Sequence, residues 1–539
     1  MRTLKLSMLL CLIIAPVLIT GCGDDNSVST VVTVPSASNL LAATTTENSV
    51  VLTWDYADAT KADSMRIFRN GAQVAGVAAA TKTYTDNGLT PNTNYTYKLV
   101  AVKGTTLSAE TSIAVKTTVA GQVLRRATLA GGVTAGTRTL SKDTIYTISG
   151  FYFIQPGAVL SIPPGTRLEG DPNAAGSSIV TIRGTATKPS GQLVANGTSA
   201  EPIIFTSGKA VGSRGRGDWG GIVLSGLADL NVDGKIGANE GVPGSYGPGG
   251  VLAAPKNDDN SGSLRYVRVE FGGTKVTPDN EINGVTLNSV GSGTTLEYVQ
   301  THMIADDGFE WFGGTVTGKY LVSSGNDDDM FDMDFGYSGK LQFLFGIQDP
   351  SLANRGFEID NDASGSSKEP YTSTVISNVT LIGTGKEKAN NEDNDGIYLR
   401  RNNKLKIYNA LVTNFRYGLI IDGVSTKTNM ANGELVVKNS IINGSKGTFG
   451  YLFKDGTSTV VSRDSLSGLV TGWGIRENVE VSLGSINFDA PNPIPSSAVA
   501  AGSIDPSTLD GFFTSTGFIG AFAPNGTNWA SGWTTFARN

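Results

Sequence analysis

The chain has 539 residues, 68 of them Gly, with 17% charged side chains, a formal net charge of −6 and one His, His302. At least two domains are expected at that length, and a net-negative chain without basic stretches is excluded as a nucleic-acid binder, which has phosphates to neutralise. A His-rich zinc site, a Cys–His catalytic pair and an internal disulfide are excluded too, because the only cysteines are Cys11 and Cys22, inside and at the end of an N-terminal apolar run. Chemistry here has to rest on carboxylates, amides, hydroxyls, Lys or Arg.

In chain order, Arg2 and Lys5 precede an apolar run from Leu6 to Ile19. At about 14 residues it is shorter than the roughly 20 that span a bilayer, and residues 1–21 read as a signal peptide. The run ends Ile19-Thr20-Gly21-Cys22, which resembles the lipobox of bacterial lipoproteins. That resemblance implies lipidation of Cys22 and lipid-anchored attachment in the cell envelope. The outer membrane is the expected location, with surface exposure left open. Residues 22–36, small, polar and acidic after the Cys, form a flexible tether.

Residues 37–118 carry short strands at sandwich spacing. Ser49–Tyr56 alternates and holds Trp54, and Ser64–Arg69 leads into an Asn70-Gly71 turn. Thr81–Thr85, Asn94–Val102 and Thr111–Thr117 follow. The segment GLTPNTNYTYKLVAV resembles the corner of a fibronectin type III domain. The resemblance implies that Tyr95 is the corner tyrosine, its hydroxyl bonded back to the backbone, and that Trp54 lies in the core. A spacer role is expected for this module, with sugar or protein binding as the alternative.

From residue 124 to 539 short apolar strands are broken by Gly, Pro and Asn, the texture of a parallel β-helix in which stacked rungs share one core. The fold class is thus all-β: a fibronectin type III-like sandwich followed by a right-handed parallel β-helix solenoid. An internal repeat sets the register. DDGFEWFGG begins at Asp306, DDMFDMDFG at Asp328, NRGFEIDND at Asn354, NDGIYLRRN at Asn394 and RYGLIIDG at Arg416. Alternation along a strand then points Phe309, Phe331, Phe357, Ile397 and Leu419 inward, and likewise Trp311, Met333, Ile359, Leu399 and Ile421. The outward columns read Glu310, Asp332, Glu358, Tyr398 and Phe312, Asp334, Asp360, Arg400, Asp422.

With rungs about 4.8 Å apart, Glu310, Asp332, Asp334, Glu358 and Asp360 share one acidic patch. Two carboxylates at about 5 Å repel by roughly 3 kcal/mol at an effective dielectric of about 20. Bound cations, raised pKa values or basic neighbours are needed. Calcium, with six to eight oxygen ligands in loose geometry, is the natural cofactor. A second candidate calcium site is the loop Asp229, Asn231, Asp233, Lys235 (through its carbonyl) and Glu240, which fits the spacing of a calcium-binding loop without flanking helices. The alternative for each is plain acidic surface.

The segments GDWGGIVLSG, DNSGSLRYVRVEFGG, DDGFEWFGGTV, DMDFGYSGKLQF and FIGAFAPNGTNWASGWTTF make residues 124–539 resemble a group of exported bacterial proteins with a pectin-lyase-like β-helix. The resemblance implies the fold and carries no established activity. The leading expectation is a recognition or structural module, displayed on the envelope, that binds glycan or a surface protein with calcium support. The alternative is a calcium-dependent polysaccharide lyase, with Arg400, Arg401 or Lys404 as base, or a hydrolase with Asp332 and Glu358 as acid and base. His302 is expected to be structural.

Overall fold

The computed structural model describes residues 33–277, 280–352, 354–385, 394–444, 451–454, 460–461, 470–496 and 499–539. The signal peptide, Cys22 and most of the tether lie outside the described residues. Among the described residues no helix is long and apolar enough to cross a membrane.

The first unit is a β-sandwich. Ser38–Thr45, Ser49–Asp55 and Thr83–Asn87 pair antiparallel in one layer. Ala72–Ala78, Ser64–Arg69, Asn94–Lys103 and Thr111–Lys116 form the other. Alternation drives the packing: Leu52, Trp54, Ile67, Tyr97 and Leu99 meet between the layers. The hydroxyl of Tyr95 accepts the Thr90 N–H at 2.9 Å, as expected of a corner tyrosine. The sandwich is joined edge-on to the solenoid: Thr44 and Thr45 pair with Arg125 and Leu124 on Leu124–Val133.

Beyond that strand the chain winds into a right-handed parallel β-helix. One ladder runs through Ile222–Ser225, Val285–Asn288, Phe309–Phe312, Phe331–Asp334, Phe357–Ile359, Asp395–Leu399 and Tyr417–Asp422. Its register is the one read from the repeat. Phe309 pairs with Phe331, Phe331 with Phe357, Phe357 with Ile397 and Ile397 with Leu419. All five are fully buried. Phe331 stacks between Phe309 and Phe357 at ring-centroid distances of 5.6 and 5.2 Å.

The other long ladder runs through Gly262–Glu270, Thr295–His302, Thr317–Ser324, Lys340–Ile347, Val375–Ile382 and Lys406–Phe415. Each strand bends at a residue in the left-handed region, Tyr266, Tyr298, Tyr320, Phe343, Asn378 and Asn409, with φ between 47° and 61°, and the last strand has a second such residue at Asn414. A residue left out of the ladder at the same point of every rung turns the strand sharply, and one long strand thereby supplies two faces of the solenoid. Asn tolerates this backbone; Tyr and Phe do so at a cost. Stacking offsets it, with ring centroids 4.4, 4.3 and 4.8 Å apart along Tyr266, Tyr298, Tyr320 and Phe343.

The C-terminal segment lies along this bend. Gln300 exchanges two hydrogen bonds with the Thr535 backbone, Gln342 with Thr514, and Asn409 with Ile504. Trp529 and Trp533 pack edge-on against Tyr320 and Tyr298. His302 is fully buried beneath it: Nε2 donates to the Ala537 carbonyl at 2.7 Å, while Nδ1 faces the Ser324 hydroxyl at 2.9 Å. Burial pushes its pKa down to about 4, so the ring is neutral and holds the chain end in place, a structural role.

Candidate functional site

The outward columns of the first ladder converge as the repeat predicts. Glu310 pairs with Asp332 and Asp332 with Glu358, and Phe312 pairs with Asp334. The expected open acidic face, however, is largely covered. Glu310, Glu358 and Asp360 are buried; Asp332 and Asp334 keep partial exposure. The cover is the chain between about residues 226 and 257. Its Leu230 and Tyr246 pack on Phe312, and its Asn239 accepts from Ser225 and Asn288 on the strands beneath, each at 3.1 Å.

The calcium-loop candidate lies in this cover, and its residues are held differently from what their spacing predicts. The five residues do not converge. Lys235 Nζ bonds the Asp229 carboxylate at 2.9 Å and the Leu230 carbonyl at 2.7 Å, placing a positive charge where a cation would need oxygens. Asp233 is highly exposed and pairs with Lys368 at 2.8 Å. Asn231 Nδ2 donates to the Asn361 carbonyl at 2.7 Å, and its Oδ1 is buried without a hydrogen-bond partner. Only Glu240 turns inward, where it comes up beside Glu310.

The turns that precede each strand add the decisive groups. Asp306, Asp307 and Asp328 form one triad of mutually close carboxylates, Asp307, Glu310 and Asp332 a second, and Asp329, Asp332 and Glu358 a third; within each, the oxygens lie within 4.8 Å of one another. Calcium–oxygen bonds run about 2.3–2.6 Å, so two ligands of one ion stand at most about 5 Å apart. Each triad falls within the span of a single ion, and Asp307 and Asp332 link the three. The tight turn depends on Gly308, where an added Cβ would sit 2.3 Å from Ser323 Oγ and Asn326 Nδ2. Backbone and amide donors fix the carboxylates: Asp307 accepts the Asp329 N–H at 2.8 Å, Asp329 accepts the Arg355 N–H at 2.9 Å, and Asn283 bonds Glu310.

Arginines close one end. Arg355 and Arg400 both pair with Glu358. Arg400 and Arg401 hold Asp360 at 2.8 and 2.7 Å. Tyr398 lies under the Arg355 and Arg400 guanidinium groups, 4.6 and 5.4 Å from its ring centre. Asp422 stands apart and accepts the Tyr398 hydroxyl at 2.5 Å.

Three guanidinium groups do not balance this many carboxylates. Burial, then the neighbouring charges, push Asp307, Glu310 and Asp332 well above the ordinary carboxylate range. The same causes bring Asp306 to about 8, and burial brings Asp334 to about 6. Glu240 is raised, chiefly by burial. A group in this state takes up protons or a divalent cation.

The proposed patch residues are therefore brought together, joined by Glu240 and by Asp306, Asp307, Asp328 and Asp329. Asp229, Asn231, Asp233 and Lys235 are not. The sequence reading left out Arg355, and a signal for it existed. Two positions before the inward residue of each rung stand Asn283, Asp307, Asp329, Arg355 and Asp395, and Arg355 brings the countercharge to a column of carboxylates and amides.

Residues 131–471, well over half of the chain, match the family model described as a pectate-lyase-like β-helix domain. Among solved structures, a family 28 exopolygalacturonase of Yersinia enterocolitica is 13% identical, covering 79% of this chain and 100% of its own at a TM-score of 0.15. The catalytic unit of an α-1,3-glucanase from Streptomyces thermodiastaticus is 13% identical over 80% of this chain and 86% of its own, with a TM-score of 0.30. A pectate lyase of Pectobacterium carotovorum is 11% identical over 82% and 99%, with a TM-score of 0.18. No curated protein matches the chain. Superpositions this weak bear on neither substrate nor reaction.

Proposed function

The chain belongs to the pectate-lyase-like β-helix family, and on that footing we propose that it is an envelope lipoprotein, anchored through Cys22, whose solenoid binds calcium in its carboxylate column and recognises carbohydrate there. The observation that carries this reading is the linked set of three carboxylate triads, each within the span of one ion. Calcium relieves the repulsion among them and offers open coordination positions to the hydroxyls or carboxylates of a glycan. The partly exposed Asp332 and Asp334 mark the side from which a ligand reaches the column. Arg355, Arg400 and Arg401 are engaged by Glu358 and Asp360, which makes them clamps on the column and poor candidates for a proton-abstracting base.

A carboxylate-based hydrolase is the second reading. Asp332, whose pKa burial raises well above the carboxylate range, stands in one triad with Glu358, which pairs with two guanidinium groups; a proton-holding carboxyl beside an ion-paired one suits an acid and a base. One screen separates the two. The purified protein is incubated with neutral and acidic polysaccharides in calcium and in chelator. Calcium-dependent retention without release of reducing ends supports recognition; release that Asp332→Asn abolishes supports hydrolysis. No retention and no release with any polysaccharide overturns both.

A further inference from the structure

Where the sandwich meets the first rungs of the β-helix there is a cavity of about 940 Å³. That is the size of a small-molecule site, and the junction of two units is a usual place for one. No residue of the carboxylate column lines it. Six basic side chains border it, Lys116, Arg125, Arg126, Arg167, Lys209 and Arg214, against three acidic ones, Asp55, Glu169 and Asp171. The chain as a whole has the opposite balance, with a net charge of −6.

The acidic members are already committed. Glu169 pairs with Arg126 at 2.6 Å and with Arg167 at 2.7 Å. Burial opposes its ionisation, yet the two guanidinium groups hold it below the usual carboxylate range. Asp171 takes the Ser149 hydroxyl and the Asn173 N–H, and Asp55 takes the Asn39 amide. Lys209 is bound by Asp218 at 2.6 Å.

Arg214 is different. It is half-buried, its Nε donates to the Lys209 carbonyl at 3.1 Å, and among the described residues no carboxylate pairs with it. Burial and then the nearby Arg167 make its charge costly, and the more distant Glu169, Glu270 and Asp218, each bonded elsewhere, offset that only in part. Lys116 and Arg125 stand exposed at the rim. A guanidinium in a cavity without a carboxylate partner is a ready fork for a bidentate anion. Around it Thr53, Ser112, Thr128, Thr147 and Asn173 supply the neutral donors and acceptors that sugar hydroxyls take.

We propose that this cavity is a second binding site, which holds an anionic saccharide segment with its carboxylate or sulfate group on Arg214 and further charge at Lys116 and Arg125. The sandwich is then one wall of a binding site as well as a spacer. The site is independent of calcium.

The test is titration calorimetry on the purified protein in chelator, which silences the carboxylate column. The probes are oligogalacturonate as the carboxylate source, dextran sulfate as the sulfate source, and neutral dextran. At least one anionic probe binds, neutral dextran does not, and affinity falls as salt rises because the rim charges are exposed. Whichever anionic probe binds identifies the group recognised. Arg214→Glu weakens binding by about tenfold or more, equivalent to about 1.4 kcal/mol. Lys116→Glu, at an exposed position, weakens it in the same direction, and melting curves show that each variant is folded. The proposal is overturned if neither anionic probe binds in chelator, if neutral dextran binds as tightly, or if both folded variants bind as the wild type does.

Discussion

Glu240, brought over the ladder by the covering segment, stands close enough to Glu310 on the strand beneath that, after burial, its charge helps push Glu310 well above the ordinary carboxylate range. Two buried carboxyl groups stay that close only when one holds a proton or both face a cation. The contact ties the cover to the deepest part of the acidic column. It also makes one site of two features that look separate in the sequence, the loop ending at Glu240 and the repeat beginning at Asp306.

The first prediction follows from that tie. Glu240→Gln removes one candidate ligand and lessens the stabilisation that calcium gives the folded protein. Asp233→Ala changes stability by no more than about 0.5 kcal/mol and leaves the calcium response intact, because Asp233 is an exposed partner of Lys368. Melting curves of both variants with and without calcium check this. Loss of the response in Asp233→Ala restores the loop as a site.

The second concerns the core. Phe331 is fully buried between Phe309 and Phe357. Phe331→Ala costs about 3–5 kcal/mol, and Phe331→Asp, which buries a charge in the shared ladder, prevents folding of the solenoid. Urea denaturation measures the first and far-ultraviolet circular dichroism the second. Wild-type stability in either variant contradicts the rung register.

The repeat exposes this register because parallel strands place each residue directly on its aligned neighbour, so an inward column must stay apolar on every rung. Phe309, Phe331, Phe357, Ile397 and Leu419 are legible for that reason, as are the carboxylates between them. The cover is not legible, since a single insertion has no period. Its Asn, Asp and Gly residues fit a metal loop and a surface turn equally well, and Lys235 and Lys368, whose partners settle the matter, are not fixed by local spacing. The bend at Tyr266, Tyr298, Tyr320 and Phe343 has a readable signal: an aromatic residue at the same place in RYVRV, EYVQT, KYLVS and QFLFG. Its left-handed backbone is set by the turn of the solenoid and has no counterpart in local propensity.

The third prediction is a pH dependence. Asp306 titrates at about 8 and Asp334 at about 6 in the folded chain, against roughly 4 when unfolded. Between those values the folded state holds protons that the unfolded state has released, so stability falls as pH rises. In chelator the melting temperature therefore drops between about pH 5 and pH 8. In calcium the drop is smaller, because the ion takes the place of the protons. A melting temperature in chelator that climbs over this range contradicts the protonated column.

Calorimetric melting at neutral pH, in calcium and in chelator, on the wild type and on Asp332→Asn with Glu358→Gln, tests the calcium-bound column most directly. The account predicts that calcium raises the wild-type melting temperature by linkage. The double variant loses most of that gain. In chelator Asp332→Asn alone melts much as the wild type does, because burial already keeps the Asp332 carboxyl neutral, while Glu358→Gln alone melts lower because it removes the carboxylate that Arg355 and Arg400 share. A wild type whose melting temperature is the same in calcium and in chelator would contradict the account and leave the carboxylates a proton-held cluster.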